Sequence, residues 1–195
     1  GVLGNSGYTT LAANAGASYI GAKGFFGASI GYYNADYGVP GFQYITPAHR
    51  NPSPIAIRVE QMRIDLKGGF YDPFPGVAAI VLRAATTRDV ERERIDDTDL
   101  SRFDIEADTA RLEVTHKPLG PLQGVFGGEV TGRRFHTTSP TAYLPSIDTS
   151  EASLFLLEQL ALGPATFRGG VRHDWIDHDL DESSVRDGRG LGVSY

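Results

Sequence analysis

Side-chain character alternates at period two along several segments of this sequence. On residues 60–70, apolar side chains occupy every second position and charged ones lie between them: Met62, Ile64 and Leu66 against Arg63, Asp65 and Lys67. Residues 108–116, 123–134 and 165–175 show the same alternation. Successive side chains of a β-strand point to opposite faces of the sheet. The pattern therefore predicts long amphipathic strands with one apolar and one charged face.

The predicted strands are joined by connections that alternate in length. The strands cover residues 9–19, 24–36, 59–71, 77–88, 103–117, 123–137, 149–162, 165–177 and 188–195. Short turns rich in Gly and Pro alternate with longer polar loops at 37–58, 89–102, 138–148 and 178–187. Outer-membrane barrels place short turns on the periplasmic side and long loops outside. We therefore expect an all-β fold, an antiparallel up-and-down meander of about nine long strands that forms part of a transmembrane β-barrel.

The composition argues against several other classes of protein. The chain contains 24 Gly, 10 Phe and 9 Tyr, which suits strands and turns better than helical bundles. It contains no Cys, so a small disulfide-stabilised secreted fold is not expected. A net charge of −6 argues against nucleic acid as a partner. Because no run of 18 apolar residues occurs, membrane insertion would require a β-barrel.

Several segments, in this order, resemble the barrels of TonB-dependent outer-membrane receptors. They are 33–41 (YNADYGVPG), 59–67 (VEQMRIDLK), 71–76 (YDPFPG), 112–120 (LEVTHKPLG) and 154–158 (LFLLE). The resemblance covers most of the chain. It implies a barrel of about 22 strands that is closed by an N-terminal plug. Residues 1–195 contain no counterpart of the plug, so we expect a fragment from the first half of such a barrel.

The resemblance also implies a function and a location. The intact receptor would bind a scarce solute, such as a ferric siderophore or another metal complex, and import it across the cell outer membrane of a Gram-negative bacterium. Its expected partners are outer-membrane lipid, its own plug, the TonB complex and the metal-chelate substrate. No cofactor and no enzymatic activity are implied.

Two motifs that could carry chemistry have simpler interpretations. Residues 27–31 match the nucleophile elbow G-x-S-x-G, but that motif needs a strand, a tight turn and a helix. Here the pattern places Ser29 inside a strand, so no catalytic residue is predicted. His173 and His178 are five residues apart and would point to opposite faces of one strand. Zinc typically needs three or four convergent ligands, so no metal site is predicted.

The longest predicted loop, 37–58, is the candidate substrate-binding element. The candidate side chains are Tyr37, Phe42, Tyr44, His49 and Arg50. Aromatic rings and an arginine can stack on an anionic metal chelate and pair with it. Zinc-importing relatives carry histidine-rich stretches in this place, whereas this loop has His49 alone, which leaves His49 a weak candidate metal ligand. The alternative is a loop that only covers the barrel mouth.

The charged strand faces are expected to line the barrel lumen. The lumen-lining candidates are Arg63, Asp65, Glu129, Arg133, Arg168 and Arg172. They would guide the substrate and contact the plug, or they would simply pair with one another on a solvated face. The opposite, apolar faces are expected to contact lipid.

Two other functions stay open at this point. One is a structural or passive membrane barrel without active transport, which would lack a plug. The other is a soluble β-sandwich or hydrolase. The soluble alternative is disfavoured because the apolar faces would form a very large exposed patch.

Overall fold

The chain forms one antiparallel sheet of eight strands that follow one another in sequence order. The computed structural model describes residues 3–44, 53–95, 98–139 and 144–181. The strands are β1 (Tyr8–Gly21), β2 (Gly24–Tyr44), β3 (Ser53–Tyr71), β4 (Val77–Ile95), β5 (Thr98–His116), β6 (Leu122–Thr138), β7 (Ser146–Leu162) and β8 (Ala165–Asp181). Each strand pairs with its sequence neighbours, and within the described residues β1 and β8 do not pair with each other. The prediction of an all-β, up-and-down meander is confirmed. The predicted ninth strand, 188–195, lies outside the described residues.

Four short turns connect the strands at one end of the sheet, here called the proximal end, as the sequence predicts. In the β3–β4 turn, Asp72 and Gly76 adopt positive φ angles of 50° and 86°. Asp72 donates its backbone N–H to Ala78 O at 2.9 Å, and Val77 donates to Phe74 O at 3.1 Å. Glycine reaches positive φ without steric cost, which explains its place in the tight turn.

The strands extend further than predicted at the opposite, distal end. The predicted loop 37–58 is wrong in its bounds because β2 continues to Tyr44 and β3 begins at Ser53. The predicted loop 89–102 is likewise mostly strand, since β4 reaches Ile95 and β5 begins at Thr98. Strand lengths run from 14 to 21 residues. The charged and polar residues at this end were interpreted as loops, although the strands continue through them.

A bulge explains how Pro40 and Gly41 fit within β2. The β2–β3 register shifts between Gly38 and Gln43, and Gly41 has a φ of 78°. Proline cannot donate to a ladder and is tolerated at bulges. The side-chain amide of Asn5 donates to Val39 O at 3.1 Å and to Ile55 O at 2.8 Å. Asn5 therefore links the start of the chain to the bulge and to β3.

The sheet has no second layer over either face within the described residues. Ala35 and Ile95 are the only buried hydrophobic residues there. Large apolar side chains such as Phe70, Phe167 and Val171 are 60–67% exposed. No helix in the described part of the chain is long and apolar enough to cross a membrane. A sheet normally buries its apolar face against another layer, and no other part of the described residues covers this one.

Candidate functional site

The strand register divides the side chains into two faces. Paired residues on neighbouring strands point to the same side of a sheet. The apolar face is defined by Met62, Ile64 and Leu66 of β3, and the charged face by the intervening Arg63 and Asp65. One row of direct partners on the apolar face runs through Phe70, Ile80, Val114, Phe126, Leu156 and Val171. The alternation found in single segments is therefore continuous across six strands.

The apolar face carries a band of limited height. On β3 the band covers residues 62–70, and on β8 it covers residues 167–175. Such a segment measures about 26 Å along the strand. Tilted strands of about 9–11 residues cross a bilayer, and the apolar band of outer-membrane barrels is about 25 Å tall. The nine residues of the band thus match the length of a tilted strand that crosses a bilayer.

The charged face carries a continuous chain of ion pairs from β4 to β8. Its links are Arg83–Glu113 at 2.8 Å, Arg111–Glu113 at 2.8 Å, Arg111–Glu129 at 3.3 Å, Arg172–Glu129 at 3.3 Å and Arg172–Asp174 at 2.7 Å. Single exposed ion pairs contribute little, but here each interior residue holds two partners. These ion pairs therefore link four strands, β4, β5, β6 and β8, on the same side of the sheet and pass over β7.

The six predicted lumen-lining residues all lie on this charged face. Glu129 and Arg172 belong to the ion-pair chain, and Arg63 pairs with Asp65 at 2.6 Å. Arg168 donates to Gln159 Oε1 at 2.7 Å. Arg133 has no ion-pair partner among the described residues, and it lines a 510 Å³ depression. Three small residues, Ala85, Ala107 and Thr109, also line this depression. Most of these charges thus pair with other side chains of the same sheet.

Polarity reverses between the two faces beyond the apolar band, at the distal end. At the distal end, the face that carries the apolar band has ion pairs instead of apolar side chains. They are Asp36–Arg58 at 2.6 Å, Glu60–Arg92 at 2.5 Å, Arg102–Asp104 at 2.7 Å and Arg88–Glu106 at 3.4 Å. The Arg102 guanidinium holds the pKa of the Asp104 carboxyl below its ordinary value through a hydrogen bond. The ion pairs indicate that this part of the face lies in water.

The charged face becomes apolar at the same height, and we call this surface the distal patch. It consists of Tyr37, Ile57, Val59, Phe103, Ile105 and Phe135. The rings of Phe103 and Phe135 are stacked, with centroids 6.2 Å apart and planes 21° from parallel. Tyr37 lies 6.1 Å from the ring of Tyr8. Sequence reasoning missed the patch because four of its six residues lay in or beside predicted loops.

Three carboxylates of β4 stand among the residues of the distal patch. Asp89, Glu91 and Glu93 are two residues apart and therefore share the charged face. None of the three forms an ion pair within the described residues. Desolvation raises the pKa of Glu91, and repulsion from Glu93 and Asp89 adds to the shift. The acid/base alternation of residues 91–94, ERER, was a sequence signal that could have located them.

The structure describes only part of the predicted substrate-binding set. Tyr37 lies in β2, paired with Tyr8 and Ile57, and not in a loop. The backbones of Phe42 and Tyr44 belong to the end of β2. His49 and Arg50 lie outside the described residues. Of the predicted set, Tyr37 alone is placed on a described surface, the distal patch.

The remaining motifs occupy ordinary strand positions. Ser29 lies inside β2 between Gly16 and Asp65, with strand on both sides of it. His173 packs edge-on against Trp175 on the apolar face, with centroids 4.5 Å apart. His178 is hydrogen-bonded to Thr149 on the opposite face at 2.9 Å. Within the described ranges, no group of three or more His, Cys, Asp or Glu residues could hold a metal ion.

The geometry provides three surfaces of different chemistry. They are an apolar band, an ion-paired charged face and a distal patch that combines apolar side chains with unpaired carboxylates. No protein-family model matches the chain, and a search of the curated proteins finds no match.

Proposed function

We propose that this chain forms part of the barrel wall of a TonB-dependent receptor in the outer membrane of a Gram-negative bacterium. The intact receptor binds a scarce solute, such as a ferric siderophore or another metal complex, and imports it. The observation that carries the proposal is the band of apolar side chains on one face of a single sheet, opposite a face of paired charges.

The free energy of hydration supports a membrane environment for the apolar face. Burial of apolar surface contributes about 25 cal/mol per Å². Phe167, Val171 and Leu154 each expose 59–65% of their surface, with no second layer in the described residues to cover them. Lipid covers such a face without a second protein layer. Within the bilayer the sheet satisfies its own backbone hydrogen bonds, which further strands next to β1 and β8 would complete.

The positions of the resembling segments support the receptor family. Residues 33–41 run into the distal bulge of β2, where the family's strand enters an extracellular loop. Residues 71–76 form the short turn between β3 and β4 at the proximal end, where the family has a periplasmic turn. This orientation directs the distal patch toward the solute and the charged face toward the plug, which the TonB complex acts upon.

Spin labels on two adjacent residues test the membrane orientation. Val171 and Arg172 lie on opposite faces of β8, paired with Leu156 and Phe155. In lipid vesicles, a label at Val171→Cys should be relaxed by oxygen dissolved in the lipid. A label at Arg172→Cys should be relaxed by a water-soluble nickel chelate. Equal access of the nickel chelate to both labels would reject the membrane proposal.

A passive structural barrel is the second candidate, favoured by the ion-pair chain that braces β4 to β8. Solute uptake by cells with and without the TonB complex separates the two functions. Active import should stop when the TonB complex is removed. Uptake that continues at the same rate would favour the passive barrel.

A further inference from the structure

The distal patch places each of the three β4 carboxylates beside apolar or uncharged neighbours. On the charged face, Glu93 lies between Ile57 and Ser101, Glu91 between Val59 and Phe103, and Asp89 between Gln61 and Ile105. The amide of Gln61 donates to Asp89 Oδ2 at 3.2 Å, and this is a neutral partner. The patch therefore concentrates negative charge on a half-buried apolar surface.

The arginines near these carboxylates are directed away from them. Arg92 belongs to the opposite face, where its partners are Glu60 and Asp99. Arg58 also lies on that face and pairs with Asp36. The described part of the distal patch thus contains three acidic groups and no basic group. Like charges on a partly desolvated surface repel one another, so the binding of a positive group would stabilise them.

A second unsatisfied group lies in the same row of the sheet. Direct partners run from Val59 through Glu91 and Phe103 to Thr137 on β6. Thr137 is only 5% exposed, and its Oγ1 has no hydrogen-bond partner among the described residues. Buried hydroxyl groups are nearly always hydrogen-bonded, so an unpaired one marks a position where a partner is missing. Phe103 separates Glu91 from Thr137, which places an aromatic ring between two polar groups.

We propose that the distal patch binds an organic cation, an amine or guanidinium joined to an apolar body, as the solute of this receptor. The cationic group lies against the carboxylates of β4 and over the ring of Phe103, where both charge pairing and a cation–π contact stabilise it. The apolar body covers Val59, Ile105 and Phe135, beside the unpaired hydroxyl of Thr137. This inference rests on the proposed receptor function and replaces a metal complex by an organic cation as its solute, because an anionic chelate would be repelled by the same carboxylates.

Three probes of matched shape test the charge of the solute. The protein is inserted in lipid vesicles, with insertion measured first by protection from added protease. Binding of phenethylguanidinium, phenethylurea and 3-phenylpropionate is then measured by equilibrium dialysis. The guanidinium should bind about tenfold more tightly than the urea, and the carboxylate most weakly. Insertion together with equal binding of guanidinium and urea overturns this inference alone, whereas failure to insert rejects the proposed function.

Two variants identify the surface that carries the preference. The E91Q/E93Q double variant removes two charges with little change of shape and should lower guanidinium affinity about tenfold, while urea binding stays unchanged. Glu151→Gln is the matched control, because Glu151 is an exposed carboxylate of the same face on β7. It should bind all three probes as the wild type does. An equal loss in both variants, or no loss in the double variant, overturns the proposed location.

Discussion

Arg172 on β8 reaches Glu129 on β6, two strands away, with its Nη2 3.3 Å from the carboxylate Oε1. The residue between them on β7 is Ser153, the direct partner of both Glu129 and Asp174. Ser153 is 5% exposed, and its hydroxyl has no hydrogen-bond partner. A small side chain on the middle strand thus allows charges on the outer two strands to meet above it.

Replacing Ser153 with leucine should break this contact. The larger side chain would displace the Arg172 guanidinium, and it would be overpacked at a closely covered position. We expect a loss of about 1–3 kcal/mol in the free energy of unfolding. Urea unfolding in detergent micelles measures the change. Ser150→Leu, at an exposed position on the other face of β7, should stay within about 0.5 kcal/mol of the wild type. Equal losses at both positions would contradict the role of the small residue.

The same arrangement recurs at two glycines of β6. His116 on β5 lies 3.2 Å from Glu158 on β7, and a Cβ at the intervening Gly124 would be 2.3 Å from the Glu158 carboxyl carbon. On the other face, the ring of Phe155 covers Gly127 and meets the Arg111 guanidinium carbon at 4.2 Å. The small residues of β6 therefore leave room for side chains of β5 and β7 to contact each other.

Gly127→Ala should be more destabilising than a glycine-to-alanine change elsewhere in β6. A Cβ at Gly127 would lie 2.1 Å from Leu112 O and 2.7 Å from Phe155 Cζ, so the backbone itself must shift. The expected loss is about 1–3 kcal/mol in the free energy of unfolding. Gly132→Ala is the control, since a Cβ there meets nothing within 4 Å. Unfolding in urea compares the two variants, and a Gly127→Ala variant as stable as Gly132→Ala would refute the steric argument.

The sequence predicted the faces of the sheet well because they depend on local alternation. Residues 62–67 alternate strictly, and the register places Met62 and Arg63 on opposite faces as expected. The proximal turns were predicted from Pro and Gly. Contacts such as Arg172–Glu129 could not be predicted from the sequence, because they depend on the register of three strands at once and not on any single segment.

The distal end shows why the strand ends and the distal patch were missed. Beyond the apolar band the polarity of the two faces reverses, and on β4 both faces carry charged residues, so the pattern that marks a strand is interrupted even though the ladder continues. Pro40 and Gly41 were interpreted as a loop, whereas the structure fits them into a bulge. Asp89 and Glu91 fell into the predicted loop 89–102 for the same reason. The candidate site could not be assembled until the pairing of β3, β4 and β5 was known.

Asn5 should anchor the bulge of β2 through its amide donors. Its Nδ2 donates to the carbonyls of Val39 and Ile55, and its φ of 56° suits asparagine better than most residues. Asn5→Asp keeps the shape but replaces both donors with acceptors that face two carbonyl oxygens. We expect faster cleavage near residues 39–44 by an added protease and a loss of about 1–3 kcal/mol in the free energy of unfolding. Asn14→Asp, at an exposed position of β1, should leave both quantities unchanged.

Glu91 should lower stability at neutral pH and not in acid. Desolvation, followed by repulsion from Glu93 and Asp89, raises its pKa above the ordinary 4.5 in the folded chain. A raised folded-state pKa contributes stability below pH 4.5, and that contribution is lost as pH rises through the folded-state value. Glu91→Gln, which stays neutral, should therefore unfold at a higher temperature than the wild type at pH 7, and the difference should vanish below pH 4.5. Thermal unfolding followed by circular dichroism from pH 3 to pH 8 measures this, with Glu151→Gln as the control. A constant difference between wild type and Glu91→Gln across the whole range would show that ionisation of Glu91 is not responsible.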